Sequence, residues 1–459
     1  DPLRRQRQMC IRDRNNMDPL MLGLLVGIFT VAMLFSGIPI AFGLCFISLV
    51  FLFLAEGFQI LNVYAETFYA GLNSFVLLSI PMFILMGMAV AYSPAGKDLY
   101  TGLDRWLWRL PGGLVVSNIG ACSIFAALSG SSPATCAAIG TMGIPEMRKR
   151  GYSAELATGC IAAGGTLGVL IPPSIVLIVY GLATGTSIGR LFLCGVIPGL
   201  LLAGLFMLWA YIYSYFIDKS YAERARNRVP PTLKEKLEVI PRVLPFLGIV
   251  VGVLYVLYGG IATPSEASGV GAFLVFLMIA VVYKIYHPKK IWDIVKVSMK
   301  ESVMIMFIIA GSYIFAFSLS SLYVTQSIAQ TIVEMSLNKW LLFFYINIFL
   351  LIAGFFLPPV AVIVMTSAIL LPIITEFGFD PYWFAIVFTI NMEIGLITPP
   401  VGLNLYIIKG ITPDVSLNQI LRGSIPFMVM MIICIVILCI FPELVTWLPD
   451  KLMGKDAGF

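Results

Sequence analysis

Apolar residues recur along this chain in runs long enough to cross a bilayer, which takes about 20 residues per helix. Such runs lie at about 20–36, 39–55, 75–92, 155–181 and 190–217, and again at about 242–260, 266–286, 301–320, 382–408 and 424–447. Charged residues gather in the gaps. The pattern predicts an all-α polytopic membrane protein, and 459 residues leave room for roughly ten to twelve membrane elements but no sizeable soluble domain.

Two further segments carry a different rhythm. Residues 112–147 and 340–376 each contain two shorter apolar arms separated by a breaker, SGSSP at Ser129 to Pro133 and LPPV at Leu357 to Val360. Short arms meeting at a break predict re-entrant helical hairpins that enter and leave on one side.

A shift of 227 positions superimposes the punctuation of the two halves. Pro145 falls on Pro372, Gly151 on Gly378, Gly168 on Gly395, and Pro172-Pro173 on Pro399-Pro400. At a shift of 228, Gly195 meets Gly423 and Pro198 meets Pro426, and the hairpin breakers coincide as well. The chain therefore contains two structural repeats. Five crossings separate the hairpins, an odd number, so the repeats are inverted in topology. Charge supports this: Lys97, Arg105, Arg109, Arg148 to Arg150, the 219–242 and 284–300 segments, Lys409 and Arg422 share one face, against Arg190, Lys339, Lys451 and Lys455 on the other. The positive-inside rule makes the first face cytoplasmic.

Composition narrows the classes. Hydrophobic residues make up 59% of the chain and charged residues 12%, with a mean hydropathy of +0.97. The net charge of +5 reports topology rather than nucleic-acid binding. The eight cysteines lie almost throughout in apolar stretches without CxxC spacing, and the single histidine, His287, sits in a basic loop. Zinc chemistry, His-based catalysis and acid pairs are all missing, which argues against an enzyme. A channel would need rings of charge or a filter repeat. Residues 1–16, rich in arginine, read as a non-native or mis-called prefix, with Met17 as the start.

Candidate chemistry concentrates at four interruptions: SGSS at 129–132, GGTLGVLIPPS at 164–174, LPP at 357–359 and EIGLITPPVGLN at 393–404. Glycine permits close approach, and proline removes a helical donor and frees a carbonyl. Irregular backbone persists at membrane depth only where protein buries it or a cavity solvates it. Inverted repeats with interrupted helices place substrate and coupling ions at such points. Neutral oxygens with almost no carboxylates favour a monovalent cation, and the helix N-termini after each break suit an anionic substrate. Glu393 is the acid nearest the breaks. It orients backbone, takes up a proton, or is a structural carboxylate. Glu266, in ATPSEAS, reads as a helix cap.

The motifs IPMFILMG (80–87), SGSSPATCAAIG, IPEMRKRGY, GGTLGVLIPPSI, ATPSEAS and EIGLITPPVGLNLY, in this order, resemble the large membrane subunit of tripartite ATP-independent periplasmic (TRAP) transporters from Met17 to about Trp447. The resemblance implies an elevator-type importer of the ion transporter superfamily, coupled to Na+ and located in the bacterial inner membrane. It implies two partners, a small four-helix membrane subunit and a periplasmic substrate-binding protein, and an organic acid as substrate: a dicarboxylate, sialic acid, sugar acid or keto acid. By the same resemblance, a first sodium site uses Ser129, Ser132, Gly165, Thr166, Gly168 and Pro172, and a second uses Pro358, Gly395, Thr398 and Gly402. Substrate contacts are expected from Ser131, Ser174, Pro359, Asn404 and Glu393. The expected map is 17–74 N-terminal scaffold helices, 75–217 first repeat (hairpin 112–147, broken helix 155–181), 218–300 basic cytoplasmic loops and scaffold helices, 301–447 second repeat (hairpin 340–376, broken helix 382–408), and 448–459 a tail. A symporter that needs no binding protein is the rival reading.

Overall fold

A computed structural model describes residues 18–108, 112–217, 230–335 and 337–454. The expected prefix, Arg109, residues 219–229 of the 219–242 basic segment and Lys455 lie outside these residues. The described chain is helical throughout: α1 Pro19–Phe35, α2 Ile40–Glu56, α3 Ile60–Leu72, α4 Ser79–Ala91, α5 Ala95–Trp106, α6 Gly113–Ser129, α7 Ser132–Lys149, α8 Ala154–Leu170, α9 Ile175–Thr184 and α10 Ile188–Ile212. The second half comprises α11 Leu233–Tyr258, α12 Pro264–Val281, α13 Pro288–Ser321, α14 Val324–Glu334, α15 Lys339–Phe356, α16 Pro359–Glu376, α17 Pro381–Leu396, α18 Leu403–Ile411, α19 Leu417–Ile440 and α20 Glu443–Met453. Eight helical stretches among the described residues are long and apolar enough to cross a membrane, or up to ten when each bent pair counts as one span.

The repeat extends further than 75–217 and 301–447. The 227-residue shift carries α7 onto α16 at both ends, α5 to α14 and α4 into α13, and it also brings α2 to α12 and α3 to the opening turns of α13. The positions of the scaffold helices follow the same shift. Sequence punctuation misses them because they lack paired prolines and glycines. Four short helices lie outside the apolar crossing runs, wholly or in part: α3, within the expected N-terminal scaffold helices, and α5, α14 and α20. Each is short and carries polar residues on one face, so it falls below the threshold for a crossing run.

Helix starts follow local chemistry. Thr263 and Glu266 form a reciprocal capping box at α12, with the Thr263 N–H donating to the Glu266 carboxylate at 2.8 Å. Glu266 is the cap the sequence indicates. Thr232 with Glu235 and Ser416 with Gln419 start α11 and α19 in the same way. The hairpin arms α6, α7, α15 and α16 hold 17 or 18 residues, or about 26 Å each. α15 and α16 are among the eight stretches long and apolar enough to cross, whereas α6 and α7 are not.

The chain divides into two compact units. One comprises the chain up to Ser74, Val303–Phe344 and Val360–Phe379. Its core joins α1, α2 and the second half of α13 through Leu22, Val26, Leu44, Ile47, Phe315 and Leu319. Phe29, Phe35, Phe42 and Phe46 point outward, as expected where the solvent is lipid. The other unit comprises Phe75–Ser302, Tyr345–Pro359 and the chain from Asp380. Its tightest crossing sets Gly159 of α8 against Gly423 of α19: a Cβ on Gly159 would stand 2.1 Å from the Gly423 carbonyl carbon. Backbones approach this closely only where neither residue has a side chain.

Candidate functional site

The first hairpin reverses at Gly130, whose φ of +58° is the left-handed conformation that glycine tolerates. Ser131 returns to extended backbone, and α7 begins with Pro133 in its first turn. The turn is closed by hydroxyls. Ser129 Oγ lies 2.7 Å from Thr135 Oγ1, and Thr135 Oγ1 donates to the Ser131 carbonyl at 2.9 Å. A Cβ on Gly87, the last residue of IPMFILMG, would fall 2.8 Å from the Ser129 carbonyl oxygen, so α4 backs this turn.

The break in α8–α9 meets the same turn. Ser132 Oγ donates to the Thr166 carbonyl at 3.2 Å. A Cβ on Gly168 would stand 2.6 Å from the Ser131 carbonyl oxygen, and one on Gly165 would overlap Cys136 Sγ. Pro172 and Pro173 are buried and have no N–H, so the carbonyls of Gly168 and Val169 lose their α-helical donors. The structure thus packs Ser129, Ser131, Ser132, Gly165, Thr166 and Gly168 together, and the carbonyls freed of helical donors lie just before Pro172 in the chain. The Thr166 hydroxyl donates to Ala163 O at 2.6 Å, while its carbonyl accepts from Ser132. The fully buried Ser174 caps α9, accepting from the Leu177 N–H at 3.3 Å. Thr135 was missed in the sequence; its signal is a hydroxyl one turn after Ser131.

At the second break, the α17–α18 connection packs on the end of α15. A Cβ on Gly395 would lie 2.5 Å from the Gly354 carbonyl oxygen, and the Val401 N–H donates to Phe355 O at 3.1 Å. Phe355 precedes Pro358 by one turn. The connection turns at Gly402, whose φ is +44°, and a Cβ there would sit 3.1 Å from Thr398 O. Thr398 Oγ1 donates back to Ile394 O at 2.6 Å. The two breaks differ in exposure: Pro172 and Pro173 are buried, as is Pro359, whereas Pro358 is half-buried and Pro399, Pro400 and Val401 are exposed. Gly354 was also missed, although it is a small residue in the bulky run LLFFYINIFLLIAGFF.

Two expected substrate residues, Asn404 and Glu393, are fully buried. Asn404, in the first turn of α18, is fully buried and donates from Nδ2 to Ala162 O of α8 at 3.2 Å. It joins the first-repeat cluster rather than the second break. Its Oδ1 is buried without a partner among the described residues. Glu393 is also fully buried, and neither carboxylate oxygen has a partner among the described residues. Asn391, which hydrogen-bonds Asn347 at 2.9 Å, and Gly395 face α15. Glu393 lies midway between them in sequence and so on the opposite side of the helix.

Hairpins whose breaks meet broken helices, in two copies within an all-helical membrane-spanning chain, define a transport protein built on a repeated, interrupted-helix scaffold. A family model described as "Tripartite ATP-independent periplasmic transporter, DctM component" matches residues 26–444, and the chain belongs to that family, as a large permease subunit of the bacterial inner membrane. It is 38% identical over 82% of its length to the C4-dicarboxylate TRAP transporter large permease protein DctM of Pseudomonas aeruginosa, covering 87% of that protein. It is 35% identical to the protein of the same description from Vibrio cholerae, over 94% of this chain and 98% of that one. The sialic acid TRAP transporter large permease protein SiaM of Vibrio cholerae is 29% identical over 92% of this chain and 97% of its own length. Among solved structures, the YdaH transporter of Alcanivorax borkumensis matches with a TM-score of 0.61 at 14% identity, over 87% of this chain and 91% of that one. That likeness concerns the fold alone.

Proposed function

We propose that this chain imports a small organic anion together with sodium ions, by an elevator movement that carries the hairpin tips and helix breaks across the membrane. The observation that carries this reading is the packing of the first hairpin turn on the break in α8: Ser129 and Thr135 hydroxyls meet, Ser132 Oγ donates to the Thr166 carbonyl, and a Cβ on Gly168 would stand 2.6 Å from the Ser131 carbonyl oxygen. A cluster of neutral oxygens without a carboxylate suits a monovalent hard cation. Gly395, Thr398, Gly402 and Pro358 form the corresponding second sodium site in this reading. Asn404, bonded to α8 one turn before the carbonyl that Ser132 meets, presents an amide to the substrate in this reading.

The substrate is a carboxylate or a chemically similar anion. Relatives carry names that specify C4-dicarboxylate, sialic acid and 2,3-diketo-L-gulonate. A periplasmic binding protein delivers the substrate, and a small four-helix membrane subunit completes the complex. Each sodium ion crossing 100 mV supplies about 2.3 kcal/mol. Two ions per dianion would carry no net charge, so a dicarboxylate requires more than two for electrical driving.

The test is reconstitution of the chain with its genomically neighbouring small subunit and binding protein. Uptake of labelled carboxylates is measured under an imposed sodium gradient, with one component omitted at a time. Uptake that needs both sodium and the binding protein supports the reading. Uptake without the binding protein would make the chain a self-sufficient symporter, and sodium-independent uptake would remove the proposed ion sites.

A further inference from the structure

We propose that the groove between α5, α6 and the basic end of α11 binds a phospholipid, with an acyl chain in the groove and the phosphate on Lys236. The cavity is about 190 Å³ and is lined by apolar side chains, among them Leu103, Trp106, Ile124, Val239, Val243 and Leu247. It opens to the surface beside Trp106 and Leu244, both more than half exposed. An apolar cleft open to lipid is filled by a chain, because an empty one forfeits its dispersion contacts.

The surroundings place this groove at the membrane boundary. α5 bends 64° away from the crossing helix α4 and buries Leu99 while Lys97 and Arg105 belong to its polar face, the pattern of an interfacial helix. α11 holds 26 residues, about 39 Å, more than the hydrocarbon needs, so its first turns with Lys234, Lys236 and Arg242 emerge on the basic face.

Charge at the rim selects the headgroup. Arg105 donates to Glu235 O at 2.5 Å and stands 3.9 Å from Glu238, and Arg242 stands 3.9 Å from Asp98. The Glu235 carboxylate caps α11 at Thr232. The rim carboxylates are thereby engaged. Lys236 instead holds its ammonium 5.7 Å from the Trp106 ring and 6.0 Å from that of Trp108, with no carboxylate within 4.0 Å among the described residues. A lysine over two indoles at the groove mouth is the arrangement that meets a lipid phosphate at the interface.

The purified full chain is titrated in detergent with phosphatidylglycerol, with diacylglycerol of the same chains, and with chain-free glycerol phosphate, and retained ligand is read by native mass spectrometry. The expected result is retention of phosphatidylglycerol alone. Lys236→Ala weakens it about fivefold, and Ile240→Trp, which fills the groove mouth, abolishes it. Should Ile240→Trp fail to fold, Lys236→Ala, at a half-buried surface position, decides. Equal retention of diacylglycerol, binding of the soluble headgroup alone, or phosphatidylglycerol binding unchanged in Lys236→Ala overturns the proposal. So does displacement of the lipid by the co-expressed small subunit, which would make the groove a protein interface.

Discussion

Asn404 donates a hydrogen bond to the carbonyl of Ala162, one helical turn before Thr166, whose carbonyl accepts from Ser132. One stripe of α8 thus receives a side chain from the first hairpin and another from the second broken helix. The two repeats meet at the candidate site.

Replacing Asn404 tests this junction. Asn404→Ala should lower stability by about 1 kcal/mol, the net worth of one hydrogen bond. Asn404→Asp should cost more, because it sets a carboxylate against a carbonyl in a buried site. Thermal unfolding of the purified protein ranks the two, and equal melting of Asn404→Asp and the parent would refute the junction.

Sodium dependence should separate hydroxyls that the structure places differently. Ser132→Ala removes an oxygen from the proposed ion cluster and should raise the sodium concentration for half-maximal uptake about tenfold. Ser174→Ala removes a helix cap and should cost about 1 kcal/mol of stability while leaving sodium dependence unchanged. Sodium titrations of uptake alongside melting curves distinguish the two outcomes.

Glycine substitutions probe the close approach at the second break. Gly395→Ala would drive a Cβ to 2.5 Å from the Gly354 carbonyl oxygen and should destabilise by about 1–3 kcal/mol. Gly410→Ala, with nothing within 4 Å of its Cβ position, should be neutral or stabilise by up to about 1 kcal/mol. Melting temperatures that move together for the two would contradict this packing.

Acid should weaken the link between α7 and the α18–α19 connection. Arg148 Nη1 donates to Asp414 Oδ2 at 2.5 Å, and this hydrogen bond holds the Asp414 carboxyl below its usual range. A depressed folded value means that the stabilisation is complete above the unfolded value of about 3.9 and is lost as pH falls through the lower folded value. The melting difference between Asp414→Asn and the parent should therefore be constant from about pH 6 to 8 and vanish in stronger acid. A difference that grows on acidification would contradict the assignment.

Much of this protein follows from its sequence alone. Apolar run length fixes the membrane class, because hydrocarbon thickness demands about 20 residues per crossing. Paired prolines and glycines fix the breaks and the repeat, because backbone geometry follows directly from those residue types. The break positions around Gly168 and Pro172-Pro173 are legible for that reason. Tertiary structure alone decided the rest. It turned Glu393 away from α15, carried Asn404 to the first cluster, and brought Gly354 to Gly395. Each depends on which face a helix presents to a neighbour distant in sequence, and nearly uniform hydrophobicity along membrane helices erases the periodicity that would reveal that face.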